Sequence, residues 1–178
     1  MQTLYKSKLF GITRNNNGFE YAERSPGVRL LIVKGKKILL TKEYRTEVRK
    51  YDYRLPGGKI FDTFEEYQQG KQHLLKHAIT AAKRECQEET GLIPLHSKHL
   101  STAHAGATII WDLYYFLVDR FNRGKQKLGK DEDIVPEWKT FAEVKKLCLT
   151  GQIAEDRTVG VLLRFLMGGF SADRIIYK

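Results

Sequence analysis

The chain has 178 residues, 42% of them hydrophobic, and carries 31 Lys and Arg against 21 Asp and Glu, a formal net charge of +10. That length suits one domain with a sizeable core. No run approaches the roughly 18 apolar residues of a membrane span, and the start MQTLYKSKLFGITRNNN lacks the apolar core of a secretion signal, so a cytoplasmic location is expected. The positive charge favours an anionic partner, but it is scattered through KGKK, KEYRTEVRK and FNRGKQKLGK rather than gathered in a tail, which argues against nucleic acid as the main one.

In chain order, residues 5–12 and 19–24 flank RNNNG, whose Asn and Gly suit a tight turn, so a hairpin is expected. Pro26-Gly27 breaks the chain. Residues 28–33 and 38–44 are apolar, β-branched-rich runs around KGKK and predict a second hairpin. A further strand over 51–55 stops at Pro56, which cannot donate to a ladder. Asp62 or Thr63 is placed to cap a short helix through Glu65 and Glu66, ended by Gly70. The next helix is expected over 72–90 with Gly91 as its stop, and Leu75, Ile79, Ala82 and Cys86 form its core-facing stripe. Strands follow over 109–118 and 134–138. Thr140 with Glu143 marks a capping box for a helix ending at Gly151, and Asp156 is placed to cap a last helix over 157–167. Neither repeats nor a convincing linker divide residues 1–178.

Cys86 and Cys148 lack metal-type spacing and read as small apolar fillers. His73 and His77 share a helix face, but Leu74 follows where a zinc-protease helix has Glu, so they read as solvated. Trp111, Tyr114 and Tyr115 alternate on an expected strand, where core packing competes with stacking on a base.

The segment AAKRECQEETGL, residues 81–92, sets Glu85, Glu88 and Glu89 within an arc of roughly 100° on an ideal helix. Like charges so placed cost about 0.2–0.5 kcal/mol per pair. Either the face is solvated, with Arg84 pairing to Glu88, or a cation sits there. The carboxylates lie beside the apolar stripe rather than opposite it, which places them at the edge between core and solvent. Hard oxygen ligands at such an edge suit Mg²⁺ or Mn²⁺. Glu85 and Glu89, a turn apart on one side, are the candidate metal ligands, with Glu88 supporting them.

RECQEETGL, residues 84–92, together with LPGGK, residues 55–59, resembles the Nudix box. KEYR before the box, with DEDI and TGQIAEDRTVGVLLRFL after it, resembles the ADP-ribose pyrophosphatase and nucleoside diphosphate sugar hydrolase branch of that family. The resemblance implies an α/β (α+β) Nudix fold, a mixed sheet between helices with an N-terminal β-hairpin segment over 1–25 that takes part in dimerisation. It also implies a Mg²⁺-dependent or Mn²⁺-dependent pyrophosphohydrolase of a nucleoside diphosphate derivative, working as a homodimer. The backbone carbonyl of Gly57 becomes a further metal ligand, Arg84 part of the catalytic group, and Glu132 in the loop GKDEDI the general base, with Asp131 next to it. Gly57 and Gly58 let backbone approach phosphate or metal closely. Arg45 and Arg54 are candidate phosphate forks.

Two departures stand out. The span from Gly58 to Arg84 is longer than the family's by roughly a dozen residues, so the first glutamate of the box falls on Lys76 counted from one end and Phe64 from the other. Glu65 or Glu66 is its possible replacement. Arg54 stands where many members carry an acidic partner for Arg84, so two neighbouring arginines would need another anion. The alternatives are a non-catalytic nucleotide-binding regulator and a hydrolase of dinucleoside polyphosphates or RNA 5′ ends.

Overall fold

The computed structural model describes residues 2–46, 49–130 and 132–170. In chain order its strands are Gln2–Lys6 (β1), Phe10–Arg14 (β2), Glu20–Arg24 (β3), Gly27–Lys34 (β4), Lys37–Arg45 (β5), Lys50–Arg54 (β6), Leu92–Ala103 (β7), Ile109–Ile110 (β8), Leu113–Arg123 (β9) and Ile134–Thr140 (β10). The helices are Phe64–Gly70 (α1), Leu74–Thr90 (α2), Phe141–Leu149 (α3) and Asp156–Leu166 (α4). Among the described residues no helix is long and apolar enough to cross a membrane.

The larger sheet runs β10-β5-β4-β9-β7, with β6 also paired to β5. It is mixed, because β4 and β9 are parallel while the other pairs are antiparallel. On β4 the side chains alternate between faces. Val28, Leu30 and Ile32 meet Ala78, Ala81, Ala82 and Cys86 of α2, whereas Leu31 and Val33 pack with Val144, Cys148, Val161 and Leu162 of α3 and α4. The expected sheet between helices is therefore present, and each fully buried Leu, Ile or Phe side chain in it contributes about 1.5–3 kcal/mol. Both cysteines are buried and free.

The smaller sheet, β1-β2-β3-β8, carries the expected hairpin across residues 14–20. The segment expected as one strand over 5–12 breaks at residues 7–9, where Ser7 and Phe10 close a turn by backbone and side-chain hydrogen bonds. The extra residues after Gly58 form α1, whose capping box joins Thr63 and Glu66. Helix α1 binds the small sheet: the Phe64 ring fills the space above Gly11, and the Tyr67 hydroxyl donates to Glu23 at 3.0 Å.

Several expectations need correction. Strand β7 was not expected; its alternation is hidden by three register shifts against β9 and by exposure of much of its length. The strand expected over 109–118 breaks at Trp111-Asp112 into β8 and β9. Leu75 is 47% exposed, and the buried face of α2 is Ala78, Ala81, Ala82, Glu85 and Cys86, small residues that bring the helix close to the sheet. Helix α3 ends at Leu149, short of Gly151. Asp156 lies inside the first turn of α4, and Glu155 precedes it at the N-cap without capping, because its carboxylate is held by Arg29 and Thr158.

Candidate active site

After β6 the chain runs on beside β4. Leu30 donates its amide to the Pro56 carbonyl at 2.8 Å, and Val28 to the Gly58 carbonyl at 2.9 Å. Between them Gly57 has φ +149°, and a Cβ there would lie 2.1 Å from the Val28 carbonyl oxygen. At Gly58 a Cβ would lie 2.3 Å from Glu85 Oε1. Only glycine admits this approach, and it brings the loop backbone directly against the carboxylates of α2. Among the described residues nothing donates to the Gly57 carbonyl, since the ladder takes its two neighbours.

Helix α2 presents its glutamates along this loop. The Gly57 amide donates to Glu89 at 2.8 Å. Burial pushes the Glu89 carboxyl up to about 8 against the pull of that hydrogen bond, and the neighbouring Glu85 charge adds to the rise. Glu85, buried too, is raised by burial despite the opposing charge of Arg84. Arg84 reaches Glu85 at 2.7 Å and Glu88 at 2.8 Å, and also donates to the Lys59 carbonyl at 3.1 Å. It fastens helix to loop, and the pairing with Glu88 that would mark a merely solvated face coexists with a buried Glu85 and a half-buried Glu89.

The loop that carries Glu132 is tied to the end of α2. The Lys127 amide donates to the Glu88 carbonyl at 2.9 Å, and the Gly124 amide to that of Gly91 at 2.7 Å. The Gln126 side chain bridges the Glu89 and Ile134 carbonyls. Glu132 accepts from the Gly129 amide at 2.8 Å, and its charge helps to raise both Glu85 and Glu89. Asp131 lies outside the described residues.

On the other side of Gly57 and Gly58 lies a cavity of about 290 Å³ lined by Arg24, Arg29, Arg45, Arg54, Lys59 and Trp111. Arg45 pairs with Glu43 at 3.0 Å. Arg54 sits 3.6–3.7 Å from Asp52, Glu43 and Glu155, so Arg54 and Arg84 each have carboxylates of their own and do not depend on a shared anion. Arg29 makes two hydrogen bonds to Glu155, at 2.9 and 2.8 Å. Burial alone would raise the Glu155 carboxyl, but Arg29, Thr158 and Arg54 hold it down to about 2. The Nε atoms of both Arg24 and Arg54 are buried without a hydrogen-bond partner among the described residues, and at Arg24 burial, with the charges of Arg157 and Arg29, lowers the pKa. The guanidiniums of Arg24 and Arg157 lie over the Trp111 ring, 4.4 and 4.5 Å from its centre. Tyr115 belongs to the core, hydrogen-bonded to Thr158 at 3.1 Å.

Arg29, Arg24 and Glu155 escaped the sequence reading. Arg29 had a signal, a charge inside the apolar run VRLLIV, since a charge buried there must be paired. Glu65 and Glu66, the possible substitutes for the displaced glutamate, are engaged elsewhere, Glu65 with Lys6 at 3.1 Å and Glu66 in its capping box.

Among the described residues no group of three or more His, Cys, Asp or Glu side chains is gathered as a metal cluster. The donors that do meet at the loop, the Glu85 and Glu89 carboxylates and the Gly57 carbonyl, are hard oxygens. Two carboxylates with raised pKa values, Glu85 paired to Arg84 and Glu89 held, among the described residues, only by the Gly57 amide, fit a divalent cation that takes few protein ligands and completes its shell with phosphate and water.

A family model described as the NUDIX domain matches residues 23–159. No curated protein sequence matches the chain. A solved structure described as "Crystal structure of ADP compounds hydrolase" is similar with a TM-score of 0.65 at 19% identity, covering 94% of this chain and 89% of that one.

Proposed function

Since a match over residues 23–159 makes this chain a member of the Nudix family, we propose that it is a divalent-cation-dependent pyrophosphohydrolase of a nucleoside diphosphate derivative, ADP-ribose or a nucleotide sugar. The observation that carries the reading is the pair Glu85 and Glu89 facing, across the Gly57-Gly58 backbone, a cavity lined by four arginines and a lysine. Carboxylates alone would repel a diphosphate; beside those cations they leave room for a metal that a diphosphate can share. The described activity of the structurally similar ADP compounds hydrolase agrees with this class.

In this reading Glu85, Glu89 and the Gly57 carbonyl hold Mg²⁺ or Mn²⁺, with Glu88 at the rim. When bound, the cation neutralises diphosphate charge and makes a coordinated water more acidic. Arg24, Arg45 and Arg54 grip the diphosphate oxygens as planar forks, and Gly58 lets a phosphate approach the backbone. Arg84 keeps Glu85 and Glu88 aligned against the loop. Glu132 takes the proton of the attacking water. Attack of that water on one phosphorus breaks the P–O–P link, so ADP-ribose would give AMP and ribose 5-phosphate.

We also propose a homodimer through the small sheet, whose Tyr5, Phe10, Ile12 and Phe19 are exposed on the chain alone. Light scattering should give twice the chain mass, and Phe10→Asp with Ile12→Asp should halve it; a monomeric wild type would refute the assembly.

The test of the activity is Mg²⁺-dependent hydrolysis of ADP-ribose, several nucleotide sugars, dinucleoside polyphosphates and capped RNA, with Glu89→Gln as control. A diphosphate substrate cleaved by the wild type and reduced about 100-fold or more in the variant supports the reading. Silence across the panel with metal present would overturn it in favour of a nucleotide-binding regulator.

A further inference from the structure

The far end of β4 carries a different surface. Seven residue steps of about 3.3 Å separate Gly27, beside Lys59 of the active-site loop, from Lys34, so Lys34 lies about 23 Å along the strand from Lys59. There the turn Lys34-Gly35-Lys36-Lys37 meets Arg123 of β9, Trp138 of β10 and Phe141 of α3 around an open groove of about 970 Å³.

The wall of the groove is apolar and aromatic. Trp138 is 36% exposed, and its ring stacks on Phe121 at 6.0 Å between centres and 26° between planes. The rim is cationic: Lys34, Lys36, Lys37 and Arg123 are all exposed and make no ion pair among the described residues. The neighbouring carboxylates are committed elsewhere, Glu137 to Lys139 and Tyr53, and Glu143 to the Thr140 cap. Glu143 still feels the charge of Lys37, but Lys34, Lys36 and Arg123 leave positive charge beside an exposed indole without an ion pair among the described residues.

We propose that this groove binds single-stranded nucleic acid, with a base stacked on Trp138 and backbone phosphates on the four cations, at a site separate from the hydrolytic centre and independent of its chemistry. Planar rings joined by phosphates match an aromatic wall with a cationic rim. Four cations exceed the charge of a nucleoside monophosphate, about −2, and an open groove lets a strand pass through. A membrane surface is matched less well, because the indole lies within a concave wall instead of projecting.

The experiment is fluorescence anisotropy of a short labelled oligouridylate against the full chain over a range of salt, with duplex of equal length and acidic phospholipid vesicles as parallel arms. The wild type should bind the single strand. Combined Lys34→Glu, Lys36→Glu and Lys37→Glu substitution should weaken binding tenfold or more and flatten the slope of log affinity against log salt by about 2, at about 0.7 per lost phosphate contact. Trp138→Ala should weaken it on the order of tenfold while Trp138→Phe largely retains it, and the lysine variant should keep wild-type hydrolysis. Because Trp138→Ala could disturb folding, the Trp138→Phe and lysine variants carry the test if its melting curve changes. No binding by the wild type, unchanged affinity in the lysine variant, or retention on vesicles without strand binding would each overturn the proposal.

Discussion

Glu155→Gln tests the buried pair behind the cavity. Glu155 is 12% exposed and Arg29 8%, and the two share hydrogen bonds at 2.9 and 2.8 Å. The Glu155 carboxyl is held at about 2 against an ordinary value of 4.5. At about 1.4 kcal/mol per pH unit, that difference is worth about 3 kcal/mol, near the lower end of the 3–5 kcal/mol typical for removing one partner of a buried pair. Because the folded pKa is depressed, the contribution is complete above about pH 4.5 and disappears as pH falls toward 2. Gln keeps the shape and loses the charge. At pH 7 the variant should melt about 6–12 °C below the wild type, at about 2–4 °C per kcal/mol for a chain of this size, and the gap should narrow steadily between pH 4.5 and 2.5. Thermal unfolding followed by circular dichroism across that range measures both quantities. A gap under about 1 °C at pH 7, or one that persists undiminished at pH 2.5, would refute this account of the pair.

The two loop glycines should respond differently to alanine. Gly57→Ala forces a Cβ to 2.1 Å from backbone at positive φ and should cost several kcal/mol in melting. Gly58→Ala pushes on the Glu85 side chain and should lower kcat tenfold or more with a smaller change in melting, because that carboxylate can swing away. On α2, Leu75→Ser should change stability by less than about 0.5 kcal/mol, as the side chain is largely in solvent. Ala82→Leu, at a fully buried contact with the sheet, should cost about 1–3 kcal/mol, and denaturant unfolding distinguishes the two.

Local signals in the sequence were strong where one residue type satisfies a nearby backbone. Thr63 with Glu66 and Thr140 with Glu143 form the capping boxes they spell, and Gly91 closes α2 in the left-handed conformation. The pattern misled where partners come from far along the chain. Strand β7 exists because β9 offers it a ladder, and its bulges erase the two-residue period. The apolar stripe of α2 was drawn through Leu75, but the helix turns its small residues to the sheet because alanines allow closer packing than leucine.

For the site, the sequence alone determined the carboxylate face and the glycine loop, since both are short-range patterns: charges a turn apart on one helix and a backbone turn only glycine tolerates. The tertiary structure decided what those groups meet. Gly57 reaches Glu89 across 32 positions, and Arg29 reaches Glu155 across 126. The same holds for the basic residues, which look scattered along the chain; strands β4, β9 and β10 gather Lys34, Lys36, Lys37 and Arg123 around Trp138 at one end of the molecule and the arginines at the other. Spacing along a chain encodes a helix face or a turn. Charge density at a point in space depends on which strands lie side by side, and that is settled by the burial of the two cores between sheet and helices.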